Sequence, residues 1–205
     1  EQLDAFEVGF KSTLADGLVR FNGAAYYYDY SDYQAFFIVG IDTITFNTDA
    51  ESMGGELELQ ASLFDGLDIL LGAAYNDIDV DIGNETVASV QSPEWNLNAL
   101  VRYEWPMFGG AMAIQGDIVY RSEHYFALTG LETVEEDGYS VSNASLTYTT
   151  DNQAWQVSAF VKNLTDEEYL VQTFDLSGLD VFGITEQYYG RPRWWGVSLK
   201  YSWGG

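Results

Sequence analysis

The sequence predicts an all-β fold, an antiparallel transmembrane β-barrel to which this chain contributes about nine strands. Three observations predict it. The final stretch alternates Trp195, Val197, Leu199, Tyr201 and Trp203 with Gly196, Ser198, Lys200 and Ser202. A period of two makes a strand with two unlike faces. One face is aromatic at both ends and aliphatic between, the pattern of a strand whose outer side crosses a bilayer between two interfacial girdles. Second, short turns and longer acidic connections alternate along the chain, as barrels alternate short turns with long loops. Third, six of the eight basic residues (Lys11, Arg20, Arg102, Arg121, Lys162, Lys200) fall on the polar parity, opposite the apolar stripe. A cation at the lipid midplane costs roughly 2–4 kcal/mol, so a membrane enforces this segregation far more strongly than water does.

Composition narrows the classes. The net charge is -24, yet 47% of the residues are hydrophobic, with fifteen Tyr, twelve Phe and six Trp. Disorder at high charge requires few apolar and aromatic residues, so it is excluded. Eight basic residues make nucleic acid an unsuitable partner. With no cysteine there is neither a disulfide framework nor a thiolate metal site. No apolar run approaches the ~20 residues of a spanning helix. The alternation is already running at Phe6, Val8 and Phe10 with no basic-then-apolar leader before it. The expectation is a piece of a longer precursor.

The elements follow in order. Asp16-Gly17 and Asp65-Gly66 are tight-turn signals, and Trp105 to Gly109 and Asp151-Asn152-Gln153 mark two further breaks. The long connections fall at about Val39 to Thr43, Asp79 to Ser92, Ser122 to Asp137 and Phe174 to Gln187. Between them lie nine expected strands: Leu3 to Thr13, Leu18 to Ile38, Ile44 to Leu63, Leu67 to Ile78, Glu94 to Trp105, Gly110 to Arg121, Gly138 to Thr149, Ala154 to Gln172 and Tyr188 to Trp203. Most meet or exceed the roughly 9–11 residues that cross a bilayer at a tilt.

One parity carries Val19, Phe21, Ala25 and Tyr27, then Leu57, Leu59, Ala61 and Leu63, and continues through Leu71, Leu97, Val101, Ile114 and Val157. The girdle aromatics expected on it are Tyr75, Trp95, Tyr103, Trp105, Trp155, Trp195, Tyr201 and Trp203. The opposite parity carries the expected lumen residues Arg20, Glu56, Glu58, Gln60, Asn96, Asn98 and Arg102.

Several motifs together resemble one family. Val161-Lys162-Asn163-Leu164-Thr165-Asp166-Glu167-Glu168-Tyr169, followed by Tyr189-Gly190-Arg191-Pro192-Arg193 and an alternating last strand, resembles the end of TonB-dependent outer-membrane receptors. Phe6 to Ser12, Gly54-Gly55-Glu56-Leu57-Glu58-Leu59 and Ser92-Pro93-Glu94-Trp95 resemble earlier strands of the same family, in the same order. The resemblance spans residues 1–205 but only the C-terminal part of such a receptor. It departs at the end, where Gly204-Gly205 follow Trp203 and the family usually closes on an aromatic residue.

The resemblance implies a larger, 22-stranded barrel with its lumen blocked by a plug; the plug and the earlier strands would lie outside this chain. It implies active import of a scarce nutrient, above all a ferric siderophore, across the outer membrane of a Gram-negative bacterium. Its partners would be the lipid bilayer and lipopolysaccharide, the plug domain, TonB in the periplasm, and the nutrient ligand. No cofactor is implied and no enzymatic chemistry. The lumen residues would face the plug. Alternatives are the same class of receptor importing an oligosaccharide or cobalamin, a soluble all-β carbohydrate-binding module with Trp95, Trp155 and Trp195 in a core or sugar platform, and an outer-membrane enzyme.

Other residues are weighed individually. Glu56 and Glu58 are paired carboxylates, but same-face neighbours two apart are ordinary in a polar lumen. His124, the only histidine, sits beside Tyr125 and Phe126 in an expected loop. These three, with Tyr28 and Tyr30, are the candidates for contact with an extracellular ligand, although a surface-loop role is the adopted reading of His124. Asn163 and Thr165-Asp166-Glu167 are read as a bulge or change of facing near the membrane edge. The clusters Asp77, Asp79, Asp81, Glu85 and Glu132, Glu135, Glu136, Asp137 are read as solvated acidic surface, with Ca²⁺ as the alternative.

Overall fold

A chain whose apolar and polar residues alternate can satisfy its backbone only by pairing edge to edge, and this one does so with its neighbours in sequence. The computed structural model describes residues 1–39, 42–129, 131–176 and 182–203. Its strands are β1 (Gln2–Leu14), β2 (Val19–Val39), β3 (Asp42–Phe64), β4 (Leu67–Ile82), β5 (Glu85–Ala88), β6 (Trp95–Met107), β7 (Gly110–Arg121), β8 (His124–Tyr125), β9 (Glu135–Glu136), β10 (Tyr139–Thr150), β11 (Trp155–Lys162), β12 (Leu170–Leu176), β13 (Ile184–Tyr189) and β14 (Trp194–Tyr201). Nine of them form one path, β1-β2-β3-β4-β6-β7-β10-β11-β14, with β5 paired to β4. The path is antiparallel throughout and is not closed on itself among the described residues. The pairs β8/β9 and β12/β13 are separate hairpins.

The tight turns cluster at one end of the sheet. Asp16, Gly17, Gly66, Phe108, Gly109 and Gln153 all have positive φ. At Gly66 (φ 83°) an added Cβ would stand 2.0 Å from the Glu104 carbonyl oxygen, so both conformation and space restrict that turn.

The register carries the two parities coherently from strand to strand. Val8, Ala25, Gly55, Tyr75 and Trp95 share one row, and Phe21, Leu59, Leu71, Ala99 and Ile118 another. Tyr103, Ile114, Leu146, Ala159 and Val197 continue the same face to the last strand. These side chains do not bury one another: Leu57 is 50% exposed, Trp95 45%, Val101 46% and Leu199 65%. From Trp95 to Tyr103 the strand runs about 26 Å, which at a barrel's usual tilt spans about 19–22 Å, most of the apolar band height of an outer-membrane barrel. Tyr75 packs on Trp95 at one rim (5.0 Å), and Tyr103 on Trp105 (5.6 Å) and Trp155 on Tyr201 (4.5 Å) at the other. Trp203 extends the second rim, 5.9 Å from Tyr201.

Burial concentrates at the end opposite the tight turns. Val80 and Val134 are fully buried, and Phe126, Val134 and Leu170 form a small core there. The wall is thus a single layer, and among the described residues the packed cluster sits at the end opposite the tight turns.

Several expectations need correction. The eighth strand, expected over Ala154 to Gln172, ends at Lys162, because Asn163 (φ 52°) turns the chain; Leu170–Leu176 then pairs elsewhere as β12. The ninth, expected over Tyr188 to Trp203, is likewise divided between β13 and β14. The connections expected as long loops are largely structured. The β2–β3 ladder runs to Val39↔Asp42, leaving residues 40–41 of the expected Val39 to Thr43 loop outside the described residues. β4 and β5 make a hairpin inside Asp79 to Ser92, and β8 and β9 pair within Ser122 to Asp137. β12 and β13 extend into Phe174 to Gln187, of which residues 177–181 lie outside the described residues. A register shift between Ala61 and Phe64 places Phe64, not Leu63, opposite Leu67. Gly204 and Gly205 are also outside the described residues.

Candidate functional site

The polar parity assembles into one continuous face of the sheet. Arg20, Gln60, Leu70, Leu100, Asp117, Asn143 and Lys162 occupy one row, and Asn143 Nδ2 donates to Asp117 Oδ2 at 2.6 Å. Lys11, Asn22, Glu58, Gly72 and Asn98 make the next. Ala24, Glu56, Ala74, Asn96, Arg121 and Tyr139 make a third. All seven expected lumen residues lie on this face, Arg102 pairing with Glu104 two residues along its own strand. A concavity of about 820 Å³ opens between Lys11, Glu56, Glu58, Asn96 and Asn98. Its mixture of carboxylates, amides and one ammonium suits many hydrogen bonds to a polar surface.

Outward on the same face stands a ladder of tyrosines. Tyr26 and Tyr28 stack at 4.9 Å, and Tyr30 meets Tyr33 edge-on at 5.5 Å. Tyr28 donates to Glu7, and Tyr26 Oη donates to Asn76 Oδ1 at 2.8 Å. Asn76 also accepts from Ser52 Oγ (3.1 Å) and donates to Ser92 Oγ (3.1 Å), joining β2, β3, β4 and the start of the β6 segment. Gly54 allows this: a Cβ there would fall 2.5 Å from Tyr26 Oη and 2.3 Å from the Tyr75 carbonyl oxygen. The register shift between Tyr30 and Tyr33, with Asp32 at φ 59°, turns Tyr33 and Ala35 to the same inner side as Tyr30.

The mouth is built where three connections meet. His124 is buried, not a surface-loop residue: its Nδ1 lies 3.0 Å from the Ser122 carbonyl oxygen, and its ring packs on Phe126 (5.3 Å) and Tyr139 (6.4 Å). Tyr139 stacks on Tyr169 at 4.7 Å. The Leu170 N–H donates to Glu136 Oε2 at 3.0 Å, and Gln91 Nε2 donates to Gln172 Oε1 at 2.8 Å. Burial pushes the Glu136 carboxyl above its ordinary range; the Leu170 N–H opposes this, and Asp137 and Glu167 add to it. Burial, then the neighbouring Glu135 and Glu123, likewise raises the Tyr125 hydroxyl. A cavity of about 710 Å³ lies beneath, lined by Asn96, Arg121, His124, Phe126 and Tyr139.

Of the mouth candidates, His124 and Phe126 line that cavity, and Tyr28 and Tyr30 stand on the separate tyrosine ladder. Tyr125 turns from the cavity toward Glu135, opposite which it pairs. Residues that the sequence reading missed are Asn76, Glu136, Thr173 and Tyr169. Three were hidden by their surroundings of ordinary strand or acidic-loop residues; Tyr169 closes the Val161 to Tyr169 motif that carries the resemblance, which was its available signal. In the second acidic cluster Glu136 turns inward to Leu170, and the grouping that forms is Glu123, Glu135 and Asp137, with oxygens within 4.8 Å of one another.

Asn163 and its neighbours form a lock, not a bulge. Asn163 Oδ1 accepts the Glu167 N–H (2.8 Å), and Nδ2 donates to the carbonyl oxygens of Glu167 (2.8 Å) and Arg191 (3.1 Å). Asp166 Oδ1 accepts the Arg193 N–H at 2.7 Å.

Residues 1–164 match a family model described as "TonB dependent receptor-like, beta-barrel". Among solved structures, the chain is similar to the ferric yersiniabactin uptake receptor FyuA from Yersinia pestis (TM-score 0.82, 17% identity, covering 97% of this chain and 29% of that one). It is similar too to BauA, the ferric preacinetobactin receptor from Acinetobacter baumannii (TM-score 0.72, 17% identity, 97% and 29%). The copper transporter OprC also matches (TM-score 0.74, 19% identity, 97% and 30%). At these identities the likeness is one of fold, and the chain spans less than a third of each matched structure.

Proposed function

The chain belongs to the TonB-dependent receptor family of β-barrels, and from that premise we propose that it forms the C-terminal wall and part of the mouth of an outer-membrane receptor that imports a ferric siderophore. The observation that carries this reading is the division of one sheet, nine strands along its path, into an apolar outer face and a polar inner face, with connections folded inward at a single end. The outer face meets lipid between the two aromatic rims. The inner face, with Arg20, Glu56, Glu58, Gln60, Asn96, Asn98 and Arg102, meets a plug domain. Ligand enters at the mouth past Tyr28, Tyr30, His124 and Phe126, and TonB in the periplasm supplies energy by pulling on the plug. Residues 1–205 act as barrel throughout.

The family's work is transport, and the buried, backbone-bonded environment of His124 gives no support to the enzyme alternative. The net charge of -24 disfavours strongly anionic cargo and suits chelates of low net negative charge. Trp95, Trp155 and Trp195 stand on the exposed outer face in line with aliphatic residues, where they suit a bilayer rather than the core of a soluble carbohydrate module.

The test is uptake of radioactive iron by cells with and without the receptor gene under iron limitation, across a panel of ferric siderophores. The expected result is loss of uptake for one chelate class on deletion. Unchanged iron uptake with lost growth on cobalamin or an oligosaccharide assigns that cargo instead.

A further inference from the structure

A second, smaller cavity lies on the far side of Phe126 from His124, with a volume of about 120 Å³. Three distant segments wall it: Ala35 and Phe36 beyond the β2 bulge, Phe126 and Ala127 after β8, and Thr173 and Phe174 in β12. Its walls are mainly apolar, with Thr129, Gln172 and Asp175 also bordering it, and one buried polar group there is orphaned. Thr173 is 3% exposed, and its Oγ1 has no hydrogen-bond partner. A buried hydroxyl without a partner is unfavourable, and native folds keep few of them without a reason.

We propose that this cleft binds a single aromatic ring bearing one hydrogen-bonding substituent, a group the size of phenol, with the substituent meeting Thr173 Oγ1. Size sets the limit: a dry cavity of about 150 Å³ holds benzene, so this one takes one ring and excludes a fused ring system or a metal chelate. Phe126 supplies the main ring contact, with the half-exposed Phe36 and Phe174 at the edge, and Thr173 selects for a polar substituent. The site adjoins the proposed import route at Phe126 but does not rest on the identity of the cargo. Because Phe126 lines both cavities, a bound ring would also brace the wall beside His124.

The test uses the purified full-length receptor in detergent, with phenol and toluene as probes in saturation-transfer NMR titrations. Phenol is expected to bind about three- to tenfold more tightly than toluene, the worth of one hydrogen bond. Thr173→Val removes the hydroxyl and keeps the shape. It is expected to abolish that preference, leave toluene binding unchanged and raise the thermal midpoint of the empty receptor, because the unpaired group is gone. Ala127→Leu fills the cleft and is expected to remove both ligands. The proposal is overturned if neither probe receives saturation transfer, if phenol keeps its advantage in the Thr173→Val variant, or if a folded Ala127→Leu variant binds normally. Should the leucine variant fail to fold, the valine variant decides alone.

Discussion

Asn163 Nδ2 donates to the Arg191 carbonyl oxygen at 3.1 Å across twenty-eight residues of chain. This bond fastens the end of β11 to the entry of β14, so the β12/β13 hairpin leaves and re-enters the wall at one fixed place. Asp166 completes the fastening through the Arg193 N–H. The two segments whose wording is most distinctive in the sequence are one structure, a base on which the mouth hairpin stands.

Replacing Asn163 therefore removes a cluster, not a contact. Asn163→Ala loses three side-chain hydrogen bonds at a site 3% exposed and is expected to cost about 3 kcal/mol of unfolding free energy. Asn163→Gly loses the same bonds but tolerates φ 52°, so it is expected to be about 1 kcal/mol milder. Urea titration of the receptor in lipid vesicles measures both; equal stabilities for wild type and Asn163→Ala refute the lock.

Gly190 lies under the Tyr169 ring, where a Cβ would fall 2.1 Å from Cζ. Gly190→Ala must push Tyr169 off Tyr139, with an expected cost of about 1–3 kcal/mol from overpacking. In a Tyr169→Ala background the same change is expected to cost almost nothing. A double-mutant cycle with additive effects contradicts the contact.

Period-two alternation made most of the wall legible, since a membrane barrel enforces its facing pattern at every strand; β1, β6, β7 and β10 begin and end within two residues of expectation. Alternation reports an extended chain, not the sheet it joins. Leu170, Gln172 and Phe174 have the same pattern as β11 and could not reveal that they pair with β13. Asn163 was read as a bulge or a change of facing; that the chain turns there and is fastened was not legible, because the Arg191 carbonyl it meets lies far along the chain. His124 looked like a surface residue among acidic neighbours; its burial comes from Phe126 and Tyr139. The polar parity was readable, whereas the sharing of Asn76 among three strands was not.

Glu136 makes the mouth sensitive to pH. Its folded carboxyl pKa lies above the ordinary value of 4.5, chiefly through burial, so the folded mouth as a whole favours the protonated form although the Leu170 N–H bond by itself favours the charged one. The sign follows from linkage: this contribution is fully present below the ordinary carboxyl pKa and is lost as pH rises through the raised folded value. Hydrogen-exchange protection at the Leu170 amide, corrected for the intrinsic rate, is expected to fall across that window as pH increases. Glu136→Gln is expected to flatten the profile. A rise in protection with pH contradicts the assignment.

Leu57 and Asn98 test the division of faces most directly, because the β3–β4–β6 ladder holds them on opposite sides of the same wall. Leu57 stands 50% exposed on the apolar side, and Asn98 lies over Gly72 on the polar side. If the apolar side touches hydrocarbon, Leu57→Lys places an ammonium in lipid and is expected to cost about 2–4 kcal/mol near the midplane. Asn98→Lys adds the same charge to a wet, acidic interior beside Glu56 and Glu58, and is expected to change stability by under about 1 kcal/mol. The comparison is made by folding each variant into vesicles and measuring the folded fraction against urea. Net charge changes identically in the two variants, so any difference between them reports location alone. Equal costs, or a larger penalty for Asn98→Lys, would mean that the apolar side of this sheet does not face lipid.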